Sequence, residues 1–344
     1  MSTSTPARPC GTSAVRSQPA PAPTPAPPPE GAGVHRVATG SAHAKAVLFG
    51  EHAVVYGAPA IAVPLHRLEV EAELRPAPEG ELRIESELFA GTDSAAPECM
   101  RPVITALRAA LLAAGVADDR VQLRIRSAIP HGRGLGSSAA VAAAIARAAA
   151  DLGGTELDPE ECHAVVQRAE RVAHGNPSGI DARAVAARGP IRFHAGEVSA
   201  VGVEAPLAFV LADSGVSGST AAAVESVRER RAADPEGIGA LLCRLADISE
   251  GSTLDLRLGD RAALGARMLE AHELLGRIGV STPQLDALVD TARASGATGA
   301  KLTGGGRGGC VLALADSEGD AEHIALAMRA AGASRTWTMT VPVA

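Results

Sequence analysis

The spacing of apolar and polar residues predicts a chain of mixed strands and helices. Between residues 68 and 74, apolar and acidic positions alternate, as in a strand with one face toward solvent. Other short apolar runs predict strands at 34–39, 46–49, 121–127, 207–212, 310–315 and 336–341. Apolar positions at helical spacing predict helices at 98–114, 137–151, 159–173, 180–187, 220–232, 238–249, 261–275, 283–295 and 320–331.

The order of these elements predicts an α+β fold rather than a doubly wound parallel sheet. Residues 1–33 are rich in Pro and Ala, which predicts a disordered tail. The pattern breaks at 197–206. We therefore predict an N-terminal domain at 34–205 and a C-terminal domain at 206–344.

Composition narrows the possible partners. The chain has 344 residues, a formal net charge of −7 and no long basic run, which argues against a nucleic-acid or anionic-membrane surface. Its longest apolar stretch, 139–146, is far shorter than the roughly 20 residues that cross a bilayer. The five cysteines are widely spaced and no apolar signal segment is found, which predicts free thiols in a reducing cytoplasm. A small molecule is therefore the predicted partner, and a homodimer is left open.

The segment PHGRGLGSSAA at 130–140 ends an extended run in glycines and opens into an alanine-rich helix. Glycines allow backbone N–H groups to converge, and a helix N-terminus adds positive potential, so this first glycine segment predicts an anion-binding loop. It is not a Walker A loop, because no Lys follows the glycines. The alternative is an ordinary loop with Ser137 as a helix cap.

Two further segments contain candidate chemistry. KLTGGGRGGC at 301–310, the second glycine segment, matches GxGxxG, but it precedes a strand late in the chain, which argues against a Rossmann site. It is either a ligand-facing loop or a flexible hairpin. HGNPSGID at 174–181 presents Asp181 at the start of a helix, where the carboxylate acts as a base or as a helix cap.

Together with AHAKAVLFGEHAVVYG at 42–57, these segments resemble in sequence, order and spacing the GHMP family of small-molecule kinases. The resemblance extends from about residue 34 to the C-terminus. It implies a two-domain α+β fold, with a ribosomal-protein-like N-terminal half, a ferredoxin-like C-terminal half, and a cleft for ATP and substrate between them. GEHAVVYG and HGNPSGID are most similar to the members that phosphorylate mevalonate.

The resemblance implies ATP binding by both glycine segments and Mg²⁺ binding near the first. The residues expected at the nucleotide are Gly132, Arg133, Gly134, Leu135, Gly136, Ser137, Ser138, Gly304, Gly305 and Gly306. Ser138, or Ser137 beside it, and Glu170 are the expected Mg²⁺ ligands, since hard oxygen ligands suit that ion. A solvated helix carboxylate that pairs with Arg171 or its neighbours is the alternative for Glu170. Lys301 is expected to close over the nucleotide.

The resemblance also assigns the reacting groups. Asp181 corresponds to the base that abstracts the proton of the attacking hydroxyl or orients that hydroxyl, and Lys45 to the lysine beside it. The lysine charge stabilises an alkoxide and the transferring phosphoryl group. Glu51, His52 and Thr220 correspond, with Lys45 and Asp181, to substrate contacts. A structural histidine is the alternative for His52, and a helix cap the alternative for Thr220.

The expected activity is that of a phosphotransferase acting on an alcohol. ATP and Mg²⁺ would be used to phosphorylate the 5-hydroxyl of (R)-mevalonate to (R)-5-phosphomevalonate, in isoprenoid biosynthesis. One alternative is a GHMP kinase for phosphomevalonate or a sugar. The other is a non-catalytic, ligand-sensing member, which is disfavoured because Lys45, Ser138, Glu170 and Asp181 are all present.

Only two of the 32 basic residues are lysines, Lys45 and Lys301, and both fall within the segments of the resemblance. A compact ammonium on a flexible stem differs from a planar guanidinium in reach and geometry. We therefore expect Lys45→Arg to impair the site and Lys301→Arg to be tolerated.

Overall fold

The computed structural model describes Met1 and residues 37–77, 81–117, 120–175 and 177–343. The predicted tail, apart from Met1, lies outside the described residues, and so does Asn176 of HGNPSGID. Within the part of the chain that is described, runs of strands alternate with runs of helices, which is typical of an α+β fold.

The first sheet is built around one long strand. Its strands are β1 (Ala38–Phe49), β2 (Ala60–Pro76), β3 (Arg83–Glu85), β4 (Ala90–Thr92), β5 (Val121–Ser127), β6 (Ile191–His194) and β7 (Glu197–Ala200). They follow the order β4-β3-β5-β2-β6-β7, and β1 pairs antiparallel with β2. The predicted strands at 34–39 and 46–49 are not separate, since residues 38–39 and 46–49 belong to the single strand β1.

The second sheet is antiparallel, and three of its four strands are buried. It contains β8 (Leu207–Asp213), β9 (Gly299–Thr303), β10 (Cys310–Ala315) and β11 (Arg335–Val341), in the order β11-β8-β10-β9. Every residue of β8, β9 and β10 is buried. The second glycine segment begins within β9, and its glycines form the hairpin between β9 and β10, so a hairpin and a ligand-facing loop are compatible here.

Nine helices lie within the described ranges. They are α1 (Arg101–Ala113), α2 (Ser137–Gly153), α3 (Pro159–His174), α4 (Ile180–Ala184), α5 (Thr220–Ala233), α6 (Pro235–Leu258), α7 (Arg261–Arg277), α8 (Pro283–Ala294) and α9 (Glu318–Ala330). The Asp158 side chain caps α3 and forms a capping box with Glu161. No helix of the described residues is long and apolar enough to cross a bilayer.

Close packing of α2 on β1 fixes the start of α2. A Cβ on Gly40 of β1 would lie 2.3 Å from the Ala144 carbonyl oxygen, so only glycine permits this approach. The alanines of α2 are mostly buried, and their small side chains let the helix come near the sheet. The N-terminus of α2 is thereby held against the strand that contains Lys45.

The chain changes sheet between β7 and β8. The two sheets are connected at Thr303, whose buried hydroxyl accepts a hydrogen bond from the Val47 amide at 3.0 Å and donates one to the Val47 carbonyl at 2.9 Å. The domain boundary at 205/206 stays a prediction.

Candidate active site

Lys45 connects two of the sequence motifs. The pairing of β1 with β2 shifts register between His43 and Ala44, and such a bulge re-aims the side chains beside it. The Lys45 side chain is 3% exposed, and its Nζ lies 3.0 Å from Asp181 Oδ1. The same ammonium donates a hydrogen bond of 3.0 Å to the Gly134 carbonyl. One charge therefore joins the first glycine segment to HGNPSGID.

The first glycine segment is fitted to β1. The Lys45 amide donates to the Leu135 carbonyl at 3.0 Å. Gly136 has φ +72°, and a Cβ there would lie 3.0 Å from Lys45 Cε and 3.2 Å from Val185 Cγ1. Gly136 occupies the N-cap of α2 without a side-chain bond, so Ser137 is not a helix cap. The first N–H groups of α2 are free to bind an anion.

Asp181 lies in the first turn of α4, after Gly179 with φ +94°. No side chain caps this helix, so the capping alternative for Asp181 has no support in the geometry. The Asp181 side chain is 34% exposed. Its carboxylate therefore contacts the buried ammonium of Lys45 while it stays accessible to a ligand.

Glu170 is a buried carboxylate on α3, with its side chain 5% exposed. Burial raises its pKa, and the charge of Asp181 raises it further, whereas Ser138, His174 and Lys45 act in the opposite direction. Glu170 Oε1 has no hydrogen-bond partner among the described residues. Glu170 is therefore buried rather than solvated, and its other oxygen, Oε2, lies 3.8 Å from His174 Nε2 on the same helix.

Glu51 lies in the turn that follows β1, and Lys301 lies in β9. Their side chains form a buried ion pair. Burial raises the pKa of Glu51 and lowers the pKa of Lys301, and the charge of the partner opposes both shifts. Lys301 Nζ also donates to the Leu302 carbonyl at 2.8 Å. The lysine therefore points into the interior rather than over a nucleotide, because every position of β9 is buried and Glu51 supplies the opposite charge.

His52 is buried, with φ +60°, and its Nε2 lies 3.0 Å from the Gly305 carbonyl oxygen. Burial first, and then the positive charges of Lys301 and Arg307, lower the pKa of His52 to about 4. The ring is neutral at pH 7, so Nε2 donates to Gly305. Nδ1 is a buried acceptor that has no partner within the described residues. Nε2 of His52 therefore forms a hydrogen bond within the protein, and Nδ1 is available to accept a hydrogen bond from a ligand.

Glycines bring the remaining segments together. A Cβ on Gly134 would lie 3.3 Å from Gly304 Cα, so the two glycine segments touch through their backbones. A Cβ on Gly305 would lie 2.9 Å from Thr220 Cα. Ser219, not Thr220, caps α5 by accepting from the Ala222 amide at 3.3 Å. The helix-cap alternative for Thr220 is therefore wrong.

A cavity of about 990 Å³ lies beside the first glycine segment. Its lining combines Ser137 and Ser138 with apolar side chains that include Met100, Val103 and Ile129. A cavity with hydroxyls and helix N–H groups beside an apolar wall suits a phosphorylated ligand with a flat, weakly polar ring.

Sequence reasoning overlooked Asp213 as a site residue. It ends β8, and its buried carboxylate receives the Arg133 guanidinium at 2.7 Å. The available signal was an Asp directly after an apolar strand and before the Gly- and Ser-rich segment DSGVSGST. The sequence does not reveal that its partner is Arg133, which lies 80 residues earlier.

Comparison with known proteins defines the class of protein. The family model described as GHMP kinases N terminal domain matches residues 101–189, and the model described as GHMP kinases C terminal matches residues 253–334. The chain belongs to the GHMP kinase family, and its predicted two-domain α+β fold is confirmed.

Curated relatives in this family carry the name mevalonate kinase. That of Pyrococcus furiosus is 38% identical over 315 residues, which cover 85% of this chain and 92% of the relative. That of Aeropyrum pernix is 33% identical, with 84% and 92% covered. The crystal structure of L. major mevalonate kinase in complex with R-mevalonate matches with a TM-score of 0.79 and 28% identity, over 89% of this chain and 96% of that chain.

Proposed function

We propose that this protein is a mevalonate kinase. It transfers the γ-phosphoryl group of ATP to the 5-hydroxyl of (R)-mevalonate and yields (R)-5-phosphomevalonate in the mevalonate pathway of isoprenoid biosynthesis. The relatives named mevalonate kinase support the assignment of mevalonate as the substrate. The central structural support is the 3.0 Å contact between Lys45 and Asp181 beside a glycine segment at a helix N-terminus.

Asp181 and Lys45 act on the attacking hydroxyl. Asp181 orients this hydroxyl and accepts its proton as the new oxygen–phosphorus bond forms and the bond to the leaving ADP breaks. Lys45 stabilises the negative charge that develops on the oxygen and on the transferring group. Phosphoryl transfer depends mainly on positioning and electrostatics, so a fixed ammonium beside an accessible carboxylate suits this reaction.

The donor set near Asp181 fits Mg²⁺. Glu170 Oε1, which has no partner among the described residues, is a hard oxygen donor, and the Ser138 side chain lowers the pKa of the same carboxyl group. When bound, Mg²⁺ neutralises phosphate charge. Within the residues that the structure describes, no three His, Cys, Asp or Glu side chains converge for a metal ion, which suits an ion held by one or two protein groups and by phosphates.

The nucleotide occupies the cavity beside the first glycine segment. Its phosphates bind at the N-terminus of α2, and the apolar wall accepts its base. Gly304, Gly305 and Gly306 approach from the hairpin, where they lie against Gly134 and Thr220. A cytoplasmic location, a homodimer and the absence of nucleic acid among the partners stay predictions.

A coupled assay of ADP release tests the function. The purified chain is supplied with ATP, Mg²⁺ and, in turn, mevalonate, phosphomevalonate, galactose and homoserine. We expect turnover with mevalonate and the appearance of 5-phosphomevalonate by mass spectrometry. Turnover confined to another acceptor, or ADP release independent of any acceptor, contradicts the proposal.

A further inference from the structure

The guanidinium of Arg133 connects the first glycine segment to residues 213–218, which follow β8. Nε donates to Asp213 Oδ1 at 2.7 Å, one terminal nitrogen donates to Ser217 Oγ at 2.6 Å, and the other donates to the Gly215 carbonyl at 3.1 Å. The side chains of Arg133 and Asp213 are 15% and 5% exposed. Arg133 lines the cavity beside the first glycine segment, and all three of its bonds end on residues 213–217, of which Asp213 and Gly215 line the same cavity.

Backbone contacts hold the same segment on two sides. The Gly218 amide donates to the Gly132 carbonyl at 3.1 Å, and the Gly309 amide donates to the Val216 carbonyl at 2.8 Å. A Cβ on Gly309 would lie 2.9 Å from the Arg133 carbonyl oxygen. Residues 213–218 therefore contact both glycine segments, and they are followed by Ser219 and by Thr220 of α5.

The contact depends on a guanidinium. Asp213 Oδ1 also accepts from the Gly215 amide at 2.8 Å, which fixes the carboxylate for the arginine. A planar group with several donors makes three bonds in different directions, whereas a lysine ammonium on a single stem does not reproduce that fork. Without Arg133, a buried carboxylate loses its counter-charge, so the shape of this segment depends on the arginine.

We propose that Arg133 is a positioning residue that couples nucleotide binding to mevalonate binding. This inference rests on the proposed function. Phosphates bound at the first glycine segment restrict the motion of that segment. Because Arg133 is bonded to residues 213–217, the motion of residues 213–218 and of Thr220, on the substrate side, is restricted as well. Coupling between two ligands is reciprocal, so each ligand tightens the binding of the other by one common factor.

Calorimetric titration measures this factor. Mevalonate and the non-hydrolysable ATP analogue AMPPNP with Mg²⁺ are each titrated alone and in the presence of the other. In the full native chain we expect a coupling factor of about 5 or more. Arg133→Met and Asp213→Asn should each bring the factor close to 1, and Ser217→Ala should lower it less, since it removes one bond.

The matched control is Arg244→Met. Arg244 makes a bidentate pair with Glu270 between α6 and α7, so the control removes an inter-element arginine contact of similar chemistry. It should keep the native coupling factor. Thermal unfolding of each variant identifies any loss of fold, and Ser217→Ala provides the test if Arg133→Met does not fold.

Two results would overturn the inference while the function stands. One is a native chain that binds both ligands with no coupling. The other is an Arg133→Met chain that binds AMPPNP more weakly by itself but keeps the native factor, which would make Arg133 a direct phosphate ligand only. If the native chain binds AMPPNP but not mevalonate, both the inference and the proposed function are wrong.

Discussion

The Lys45 ammonium lies 3.0 Å from the Asp181 carboxylate, although one residue belongs to β1 and the other to α4. The lysine is 3% exposed and the aspartate 34%. The cation is therefore held in the interior by its bond to Gly134, and the anion stays partly exposed. This asymmetry suits a pair in which the lysine positions charge and the aspartate touches the substrate.

Lys45→Arg should reduce kcat by about 100-fold or more, although it keeps the positive charge. A guanidinium is larger than the ammonium, and displacement of reacting groups by about 1 Å costs a rate factor of that order. The Gly136 position leaves no room, since even a Cβ there would lie 3.0 Å from Lys45 Cε. ADP release with saturating substrates measures kcat. An exposed replacement, Arg228→Lys, is the control, and kcat within a few-fold of native for Lys45→Arg would contradict the assignment.

Asp181→Asn should lower kcat by about 10² to 10⁴-fold and change AMPPNP affinity by only a few-fold. The amide keeps the shape of the side chain but neither accepts a proton nor carries negative charge. Single-turnover kinetics with mevalonate and titration with AMPPNP separate the two effects. A variant that turns over almost as fast as the native chain would show that Asp181 is not the group that handles the hydroxyl proton.

Glu170→Gln should raise the Mg²⁺ concentration needed for half-maximal rate, by about 10 to 100-fold. Its buried Oε1 is unpartnered among the described residues, and an amide is a weaker ligand than a carboxylate. Electron paramagnetic resonance of bound Mn²⁺, in the presence of AMPPNP, gives a readout that is independent of turnover. Glu225→Gln, an exposed carboxylate on α5, is the control, and equal metal dependence of the two variants would exclude Glu170 as a ligand.

His52 should make the fold sensitive to acid. Its pKa is 6.5 as an unperturbed group and about 4 in the folded chain, so between these values the unfolded state binds the extra proton. The free energy of unfolding therefore decreases as pH falls from 6.5 to about 4, with a contribution of at most about 3 kcal/mol. His52→Asn removes this titration, and Asn tolerates positive φ better than most residues. Urea unfolding at several pH values should show a shallower acid loss for the variant, and equal slopes would contradict the prediction.

Lys301→Arg is not expected to be tolerated, in contrast to the expectation from sequence. The Lys301 side chain is fully buried against Glu51, so a larger guanidinium costs about 1–3 kcal/mol of stability. Lys301→Met leaves Glu51 without its partner and should cost about 3–5 kcal/mol. Adding Glu51→Gln to Lys301→Met should recover part of this loss in urea unfolding. Additive losses in the double variant would show that the two side chains do not interact.

Much of the fold was predictable because the elements have strong local signals. Strand β5 and helix α3 agree with the elements predicted at 121–127 and 159–173, since an apolar run and helical spacing are local features. The three-residue strands β3 and β4 were not predicted, because they are too short for a periodic pattern and depend on neighbours in the sheet. Helix α4 ends at Ala184, earlier than the alanine-rich sequence indicated.

The sequence motifs identify the segments of the candidate site, but they do not show which side chains contact each other. The sequence indicated Lys45, the first glycine segment and Asp181, and the structure brings them together; their catalytic roles remain proposals. No local pattern indicates that Arg133 contacts Asp213 or that Lys301 pairs with Glu51. Both pairs form between distant segments, so the identity of the partner depends on tertiary packing rather than on local spacing.

The double hydrogen bond between Thr303 and Val47 limits how the cleft can open. If the sheets separated at this point, the buried amide and carbonyl of Val47 would both lose their partner, at a cost of about 1–3 kcal/mol for each group. An opening that keeps both bonds would rotate about this contact as a pivot. Displacement is then smallest beside β1 and β9 and grows toward the outer ends of the cleft.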